Sequence, residues 1–388
     1  MRRAAIIVLD GLGAGAAPDA TVYGDEGSDT LGNLARAVGG LALPSLRMLG
    51  LGNALSLEGL APVDAPCAAY GTMRPRSAGK DSTSGHWEIA GLVLERPFPV
   101  YPDGFPQPLL DELTRRTGRA VIGNLAGSGT EMIARFGEEH ARSGAWIVYT
   151  SADSVFQIAA HESVVPLEEL YAACSVAREI LVAPHDVSRV IARPFTGEPG
   201  AYRRTPNRRD FSVEPPTETL LDALAAAKID RRGVGKVDDL FAGRAIGAEH
   251  TSSNAEGIAA IARALDEMSG GLLFANLVDF DQRWGHRNDV PGFYEGLREL
   301  DAALPGLLSH LHEDDLLFLT ADHGNDPTTP STDHSRERVP LLVLGGAVHA
   351  RALGERSTFA DAGATAAEWL GIEFRGAGRS FLPELLGG

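Results

Sequence analysis

Three short apolar runs of the sequence each lead into acidic and histidine residues. The runs cover residues 6–9, 272–278 and 316–320. The residues that follow them are Asp10, then Asp281 and His286, and finally Asp322, His323 and His334. In an α/β protein the carboxyl ends of parallel strands meet at one edge of the sheet, where such proteins bind their ligands. We therefore expect these side chains to converge.

Together the three aspartates and three histidines form a mixed oxygen and nitrogen ligand set without sulfur. Such a set suits Mn²⁺ or Zn²⁺ better than Ca²⁺, and six ligands are enough for two ions. Two ions about 3.5–4 Å apart can stabilise both oxygens of an in-line phosphoryl displacement. Each residue alone has an ordinary interpretation, because Asp10 could cap a helix and His334 could be a loop histidine. The joint pattern predicts a metal-dependent enzyme.

A second group of reactive residues is the run of hydroxyls Ser82, Thr83 and Ser84, which lies just before a glycine. The segment is not a phosphate-binding P-loop, because its Gly79-Lys80 pair is followed by aspartate and has no glycine five residues earlier. A hydroxyl at a turn that opens a helix is typical of a nucleophile that accepts a phosphoryl group. The alternative interpretation is a Ser/Thr helix cap without chemistry.

The elements that position these residues read as α/β architecture with a mainly parallel sheet, because apolar runs alternate with amphipathic stretches. Proline-dense segments at 96–102 and 213–217 predict an inserted cap domain at residues 98–215, between core segments 1–97 and 216–388. Within the insertion we predict strands near 120–123, 146–150 and 189–192, and a helix at 167–181. Beyond it we predict helices at 254–268, capped by Asn254, and at 292–311, kinked or split by Pro305.

The composition limits the possible partners and compartment. With 388 residues the chain is long enough for two domains. Its net charge of −17 argues against nucleic acid or an anionic membrane as a partner. The first apolar run is too short for a signal peptide and ends in Asp10, and no segment has the length of a membrane span. With only Cys67 and Cys174, we expect a reduced, cytoplasmic setting and predict no protein partner.

Several motifs together resemble the phosphopentomutase family of the alkaline phosphatase superfamily, nearly end to end. They are Asp10-Gly-Leu-Gly-Ala-Gly15, Pro18-Asp-Ala20, Gly27-Ser-Asp-Thr-Leu-Gly-Asn33, Gly79-Lys-Asp-Ser-Thr-Ser-Gly-His-Trp-Glu88, Tyr149-Thr-Ser-Ala-Asp-Ser154, Arg189-Val-Ile-Ala-Arg-Pro194, Arg204-Thr-Pro-Asn-Arg208 and Ala321-Asp-His-Gly-Asn-Asp-Pro327. The resemblance implies an alkaline-phosphatase-like core with an inserted cap. It also implies interconversion of ribose 1-phosphate and ribose 5-phosphate, and of the 2-deoxy pair, through a phosphorylated enzyme and a bisphosphate that also serves as activator.

The resemblance further implies the roles of individual residues. One Mn²⁺, in preference to Zn²⁺ or Mg²⁺, would be held by Asp281, His286 and His334. A second would be held by Asp10, Asp322 and His323 beside the nucleophile Ser82, which would itself be a ligand. The residues that would contact the sugar phosphate are Ser151, Asp153, Arg189, Ile191, Arg204, Arg208 and Lys236. The chain departs from the family at Ser82, where the family has threonine; the lost methyl group removes rotamer stiffness, and the balance between phosphoryl transfer and hydrolysis stays open.

Three alternatives remain beside this interpretation. A mutase for phosphoglycerate or another sugar phosphate would share the metal ligands and the nucleophile. A metal-dependent phosphatase or phosphodiesterase would differ only in the acceptor of the phosphoryl group. A non-catalytic metal-binding protein would have no use for a hydroxyl at residue 82.

Overall fold

The computed structural model describes residues 2–151 and 153–387. These residues form two compact units, one made of the chain up to Pro97 together with the chain from Pro215 onward, and the other of Phe98–Glu214. The insertion predicted from the proline-dense segments was residues 98–215. Both units contain strands and helices, and the fold is the predicted α/β type.

The described strands are numbered along the chain. They are β1 (Arg3–Leu9), β2 (Ala69–Met73), β3 (Val121–Ala126), β4 (Trp146–Thr150), β5 (Val155–His161), β6 (Arg189–Thr196), β7 (Arg203–Arg204), β8 (Arg209–Ser212), β9 (Arg231–Val234), β10 (Ala248–Glu249), β11 (Gly271–Leu277), β12 (Asp315–Thr320), β13 (Val339–Leu344) and β14 (Ala352–Arg356).

The described α-helices are numbered in the same way. They are α1 (Thr30–Val38), α2 (Pro44–Met48), α3 (Leu51–Ala54), α4 (Ser82–Ile89), α5 (Gln107–Thr117), α6 (Gly129–Ser143), α7 (Leu167–Ile180), α8 (Leu220–Ala226), α9 (Val237–Leu240), α10 (Asn254–Glu267), α11 (Val290–Leu308), α12 (Ala360–Trp369) and α13 (Leu382–Leu385). Short 3-10 turns cover Ala20–Tyr23 and Gly285–Arg287, and a π-helical turn covers Phe280–Trp284. No helix in the described ranges is both long enough and apolar enough to cross a membrane.

The eight-stranded sheet of the first unit has the spatial order β10-β9-β11-β1-β12-β13-β2-β14. The five strands from β10 to β12 are parallel, while β13 is antiparallel to both of its neighbours. Every residue of β1, β11 and β12 is buried. Strands covered on both faces need continuous apolar runs, which is why these three strands can be predicted from the sequence.

The second unit has a mixed sheet in the order β3-β4-β5-β6-β7, with β8 paired to β6 beside β7. Helices α5 and α7 bury one face, where Leu113 and Cys174 belong to the same apolar cluster as Trp146. Helix α6 covers part of the other face, where Met132 packs with Tyr149 and Phe195. The predicted strands near 120–123, 146–150 and 189–192 and the predicted helix at 167–181 correspond to β3, β4, β6 and α7.

In the last third of the chain, the predicted cap of one helix and the predicted split of another were wrong. The cap of α10 is Ser253 and not Asn254, because the Ser253 side chain accepts a hydrogen bond from the Glu256 amide at 3.3 Å. Helix α11 runs without a split through Pro305. Proline lacks one amide donor, and close to the end of a helix that loss removes a single backbone hydrogen bond.

Candidate active site

The acidic residues that the sequence singles out lie at one edge of the eight-stranded sheet. Strand β1 lies between β11 and β12 and runs parallel to both, so that Leu9 is paired with Leu277. Asp10 follows β1 directly, Asp322 follows β12 by two residues, and Asp281 lies in the π-helical turn after β11. Parallel strands end together, and the predicted convergence of these side chains follows from that geometry.

One group of possible metal ligands consists of Asp281, His286 and His334. The Nε2 atoms of both histidines lie 3.2 Å from Asp281, one near each carboxylate oxygen. Asn325 supports the carboxylate by donating from Nδ2 to Oδ1 at 2.7 Å. The ligand atoms lie within 4.8 Å of one another, which is close enough for one ion to bind all three.

The second group consists of Asp10, Asp281 and His323, and all three residues are buried. Asp281 therefore belongs to both groups and links them. Asp322, which the resemblance places with Asp10 and His323, has its Oδ2 atom 3.5 Å from His323 Nε2. Its Oδ1 atom accepts a hydrogen bond from the Gly11 amide at 3.2 Å, which fixes the orientation of the carboxylate.

Backbone carbonyls orient two of the histidines. His286 Nδ1 lies 2.6 Å from the Thr332 carbonyl oxygen, and His323 Nδ1 lies 3.0 Å from that of Gly324. A ring whose Nδ1–H donates to a carbonyl directs its Nε2 atom toward the acidic residues, as metal-ligating histidines do.

The charges of the site favour ionised carboxylates and protonated histidines when no cation is bound. Burial alone would raise the pKa of Asp281, but His334 and His286 hold it well below its usual range. Burial would likewise lower the pKa of His286, but Asp281 raises it to about 9. Against the same effect of burial, Asp322 and Asp10 raise the pKa of His323 well above its usual range.

An orphaned carboxylate oxygen shows that this donor set fits a divalent cation. Asp10 Oδ2 is buried without a hydrogen-bond partner. Buried polar atoms of this kind are rare in folded proteins because each one costs free energy. A cation at this edge of the sheet would satisfy this atom, and the surrounding carboxylate oxygens and imidazole nitrogens are ligands that Mn²⁺ and Zn²⁺ prefer.

Ser82 is the hydroxyl that lies against these ligands. Its Oγ donates to Asp10 Oδ1 at 3.3 Å and lies 3.1 Å from His323 Nε2. Ser82 opens helix α4, but it does not cap it, because Asp81 accepts from the Ser84 amide at 3.0 Å. The helix-cap interpretation therefore applies to Asp81 and Ser84, which leaves the Ser82 hydroxyl facing the acidic cluster.

Gly85 allows helix α4 to approach this cluster. A Cβ atom at residue 85 would collide with the backbone carbonyl oxygen of Asp322. Glu88, near the other end of the helix, is fully buried and accepts hydrogen bonds from the Ser77 and Phe359 amides at 2.6 and 3.0 Å. The helix that carries the hydroxyl is thereby fixed at both ends.

The sequence analysis missed two side chains that support the site. His86 is fully buried, and its Nδ1 atom lies 2.9 Å from the Ser82 carbonyl oxygen and 3.0 Å from Asp322 Oδ2. Lys80 forms ion pairs with Asp25 and Asp333 at 3.0 and 3.3 Å. The position of His86 one helical turn after Ser82 was the available signal, since residues four apart lie on one helix face.

The predicted sugar-phosphate residues fall into separate units. Lys236, at the start of α9, belongs to the first unit. Those in the second unit are Ser151, Asp153, Arg189, Ile191, Arg204 and Arg208. Of these the structure brings together Arg189 and Arg208, whose guanidinium groups lie 3.5 and 2.6 Å from Asp210 Oδ2. Ser151 and Asp153 lie in the loop between β4 and β5, on either side of a residue outside the described ranges.

Comparison with known proteins gives the family. Residues 2–374 match the model of the metalloenzyme superfamily. The chain is 54% identical over 387 residues to a phosphopentomutase of Dictyoglomus turgidum, with 99% of this chain and 98% of the relative covered. It is also 54% identical over 389 residues to a phosphopentomutase of Desulfitobacterium hafniense, with both chains covered completely. The chain belongs to the phosphopentomutase family. It is therefore an enzyme, an intramolecular phosphotransferase of the isomerase class.

A solved structure supports the fold. A phosphoglycerate mutase of Leishmania mexicana superposes with a TM-score of 0.51 at 14% identity, over 98% of this chain and 97% of that one. At this identity the likeness concerns the fold alone, which is of the alkaline-phosphatase type. The phosphopentomutase family and the metalloenzyme superfamily together indicate metal-dependent chemistry at the acidic cluster.

Proposed function

We propose that this enzyme interconverts ribose 1-phosphate and ribose 5-phosphate, and the corresponding 2-deoxyribose phosphates, through phospho-Ser82 and a sugar bisphosphate. Family membership supports a sugar-phosphate mutase. The observation that carries the role of Ser82 is the position of its Oγ atom, 3.3 Å from Asp10 Oδ1 and 3.1 Å from His323 Nε2. The proposed partners are small-molecule pentose phosphates, and the proposed compartment is the cytoplasm, since both cysteines are free thiols.

Two Mn²⁺ ions are the proposed cofactors. Asp281, His286 and His334 would hold one of them. The other would be held by Asp10, Asp322 and His323, with Ser82. Asp281 lies close to both ligand groups, which favours two neighbouring ions. When bound, such ions neutralise phosphoryl oxygens and favour the ionised form of a nearby hydroxyl. Zn²⁺ and Mg²⁺ are the less favoured alternatives to Mn²⁺ as the bound ions.

The reaction consists of two phosphoryl transfers. In the first, the bond between phosphorus and Ser82 Oγ breaks while a bond forms to the free hydroxyl oxygen of the pentose monophosphate, which loses its proton. In the second, the other phosphoryl group of the bisphosphate moves to Ser82 Oγ, and the sugar oxygen it leaves takes up a proton. The phosphorylated enzyme is thereby restored, and a trace of sugar bisphosphate can prime it.

The side chains of the second unit would hold the sugar during this exchange. Asp153 can accept hydrogen bonds from sugar hydroxyls, while Arg189 can pair with the phosphate remote from the reaction. Ser151, Ile191, Arg204 and Arg208, with Lys236 of the first unit, complete the proposed contacts. A cap suits a mutase because water must be kept from the phosphoenzyme while the bisphosphate turns around.

The proposal is tested by following ribose 1-phosphate with Mn²⁺ and a trace of ribose bisphosphate by phosphorus NMR, for wild type and Ser82→Ala. We expect ribose 5-phosphate to form with the wild type only. Inorganic phosphate as the main product would identify a phosphatase instead. Ribose 5-phosphate formation that survives in Ser82→Ala would exclude Ser82 as the nucleophile, and no reaction would direct the search to other sugar phosphates or phosphoglycerate.

A further inference from the structure

The segment between strand β2 and helix α4 leads directly to Ser82. It forms neither a strand nor a helix, so its backbone groups need hydrogen-bond partners elsewhere in the molecule. The Arg336 guanidinium binds the carbonyl oxygens of three alternate residues of this segment. Its Nη1 atom donates to Ser77 and Gly79, both at 2.5 Å, and its Nη2 atom donates to Pro75 at 3.3 Å. A single side chain thus fixes the course of the chain up to the proposed nucleophile.

The same guanidinium binds an aspartate and an aromatic ring of another segment. Only 2% of Arg336 is exposed. Its Nε and Nη2 atoms donate to Asp19 at 3.1 and 2.9 Å, and its Cζ atom lies 4.7 Å from the centre of the Tyr23 ring. Five donors in one plane allow an arginine to bind a carboxylate and several carbonyls together. The buried charge is thereby compensated, and Asp19 has a partner that explains its place in the Pro18-Asp-Ala20 motif.

Arg336 also belongs to the segment that carries a proposed metal ligand. It follows His334 by two residues. Between them, Ser335 exchanges two backbone hydrogen bonds with Gly324, at 2.7 and 3.0 Å, and Gly324 directly follows the proposed ligand His323. The backbone of Arg336 is thus fixed beside the acidic cluster, while its side chain extends to the segment before the nucleophile.

A second carboxylate joins the same two segments. Asp25 Oδ2 accepts a hydrogen bond from the Arg336 amide at 2.8 Å, and Asp25 Oδ1 lies 3.0 Å from Lys80 Nζ. Lys80 in turn pairs with Asp333 at 3.3 Å. Since Lys80 lies two residues before Ser82, these ion pairs and the guanidinium hold the two segments together at neighbouring points.

We propose that Arg336 is a positioning residue for phosphoryl transfer. By holding the segment before Ser82 to the segment of His334, it keeps the serine hydroxyl within reach of the acidic cluster. This role deepens the proposed function and rests on it for the identity of Ser82 as the nucleophile. A reacting group displaced by about 1 Å can lose about a hundredfold in rate, so the effect falls on the chemical step. Lysine, a point charge with three donors, cannot replace the planar guanidinium.

Arg336→Lys tests the role, because it retains the positive charge opposite Asp19 and loses most of the carbonyl contacts. Unphosphorylated full-length protein with Mn²⁺ is mixed with ribose 1,5-bisphosphate, and rapid quenching followed by mass spectrometry of the intact protein gives the rate of phosphorylation. We expect this rate and kcat to fall about a hundredfold, with KM within about threefold of the wild type. Calorimetric titration is expected to show the wild-type affinity for Mn²⁺, since every proposed ligand is retained.

Arg3→Lys is the matched control. Arg3 is likewise buried, with 5% exposed, and its guanidinium also binds one aspartate and backbone carbonyls. These partners include Asp315 at 2.8 Å and the carbonyl oxygens of Met268 and His310 at 3.3 and 3.1 Å. Arg3 lies at the start of β1, whereas Asp10 follows the end of that strand. We expect both lysine variants to be destabilised in urea denaturation, and kcat of Arg3→Lys to stay within about twofold of the wild type.

Three outcomes would overturn the role. Phosphorylation of Arg336→Lys at the wild-type rate would show that the arginine does not position the serine. Equal losses of kcat in Arg336→Lys and Arg3→Lys would reduce the effect to general stability. Loss of Mn²⁺ affinity in Arg336→Lys would show that the arginine acts on the metal ligands. A wild type that ribose 1,5-bisphosphate does not phosphorylate would contradict the proposed function itself, and this role with it.

A milder pair of substitutions keeps the role testable if Arg336→Lys does not fold. The Asp19 side chain is 45% exposed, and Asp19→Asn retains its shape but removes its charge. We expect phosphorylation about fivefold slower, since hydrogen bonds between charged groups are the stronger ones. Glu384→Gln is the control, because Glu384 is 46% exposed and pairs at 3.1 Å with Arg356, which also lies over an aromatic ring, that of Phe381. Equal rates in both variants and the wild type would contradict the role.

Discussion

At the scale of single residues, Ser82 shows how a nucleophile is kept available. Its neighbours Asp81 and Ser84 cap the helix, so its own hydroxyl is directed to Asp10 and His323. Serine has the hydroxyl that phosphoryl transfer needs but not the branched Cβ of threonine. A branched Cβ restricts the first side-chain torsion, and serine is correspondingly freer to rotate.

Ser82→Thr tests that freedom. We expect the threonine variant to retain mutase activity and to release less inorganic phosphate per turnover, by roughly fivefold, since fixing one rotamer is worth about 1 kcal/mol. Phosphorus NMR gives both products in one experiment, and Thr83→Ser serves as the control for a neighbouring hydroxyl. If the ratio of hydrolysis to transfer were the same in wild type and Ser82→Thr, the methyl group of threonine would have no influence on hydrolysis of the phosphorylated enzyme by water.

The histidine ligands make cation binding depend on pH. With Asp281 beside it, His286 has a pKa of about 9, so it is protonated at neutral pH and must lose that proton to bind a metal ion. We expect the affinity for Mn²⁺ to increase by up to about tenfold per pH unit between pH 7 and 9. Calorimetric titration in two buffers with different ionisation enthalpies measures the proton release directly. An affinity that does not change over this range would exclude His286 as a ligand.

At the scale of secondary-structure elements, helix α4 depends on its first turn. Asp81→Ala removes the cap, for which we expect a loss of about 1 kcal/mol in the free energy of unfolding and a fall in kcat, because Ser82 is the next residue. Ser253→Ala removes the cap of α10 in the same unit, and we expect a similar loss of stability with unchanged kcat. Chemical denaturation and steady-state kinetics supply the two measurements. If both variants lowered kcat equally, the effect of Asp81 would be one of general stability.

The elements also show what the sequence could and could not predict. The buried strands β1, β11 and β12 were predictable because strands covered on both faces require unbroken apolar runs. Helix boundaries were less predictable, because Ser253 and Asn254 are both good caps and only the observed hydrogen bond distinguishes them. The convergence of Asp10, Asp281 and Asp322 was predictable from strand ends. The support of Asp322 by His86, or of Asp281 by Asn325, arises from packing between distant segments and leaves little local signal in the sequence.

At the scale of the whole molecule, Glu337 ties its own segment to Gly15 and Thr30, about 300 residues earlier in the chain. Its fully buried carboxylate accepts hydrogen bonds from the Thr30 and Ser335 hydroxyls at 2.8 and 2.7 Å and from the Gly15 amide at 3.1 Å. Burial nevertheless raises the pKa of Glu337 to about 7. The folded protein therefore binds a proton more tightly at this residue than the unfolded chain does.

This difference predicts a dependence of stability on pH. Because the folded pKa lies above the ordinary value of 4.5, the contribution of Glu337 is complete below pH 4.5 and is lost as the pH rises to about 7. The shift corresponds to about 3 kcal/mol. We expect Glu337→Gln, which cannot ionise, to lack this part of the pH dependence, as measured by urea denaturation between pH 4.5 and 7.5. Parallel curves for the two proteins would contradict the assignment.

The place of β1 in the sheet has a consequence for biosynthesis. This strand is synthesised more than 200 residues before its hydrogen-bonding partners, which begin at Gly271 and Asp315. The inserted unit is continuous from Phe98 to Glu214 and has all its strand partners within that span. The inserted unit can therefore complete its own strand pairing while β1 is still unpaired. Residues 3–9 consequently stay accessible to a chaperone throughout that interval of synthesis.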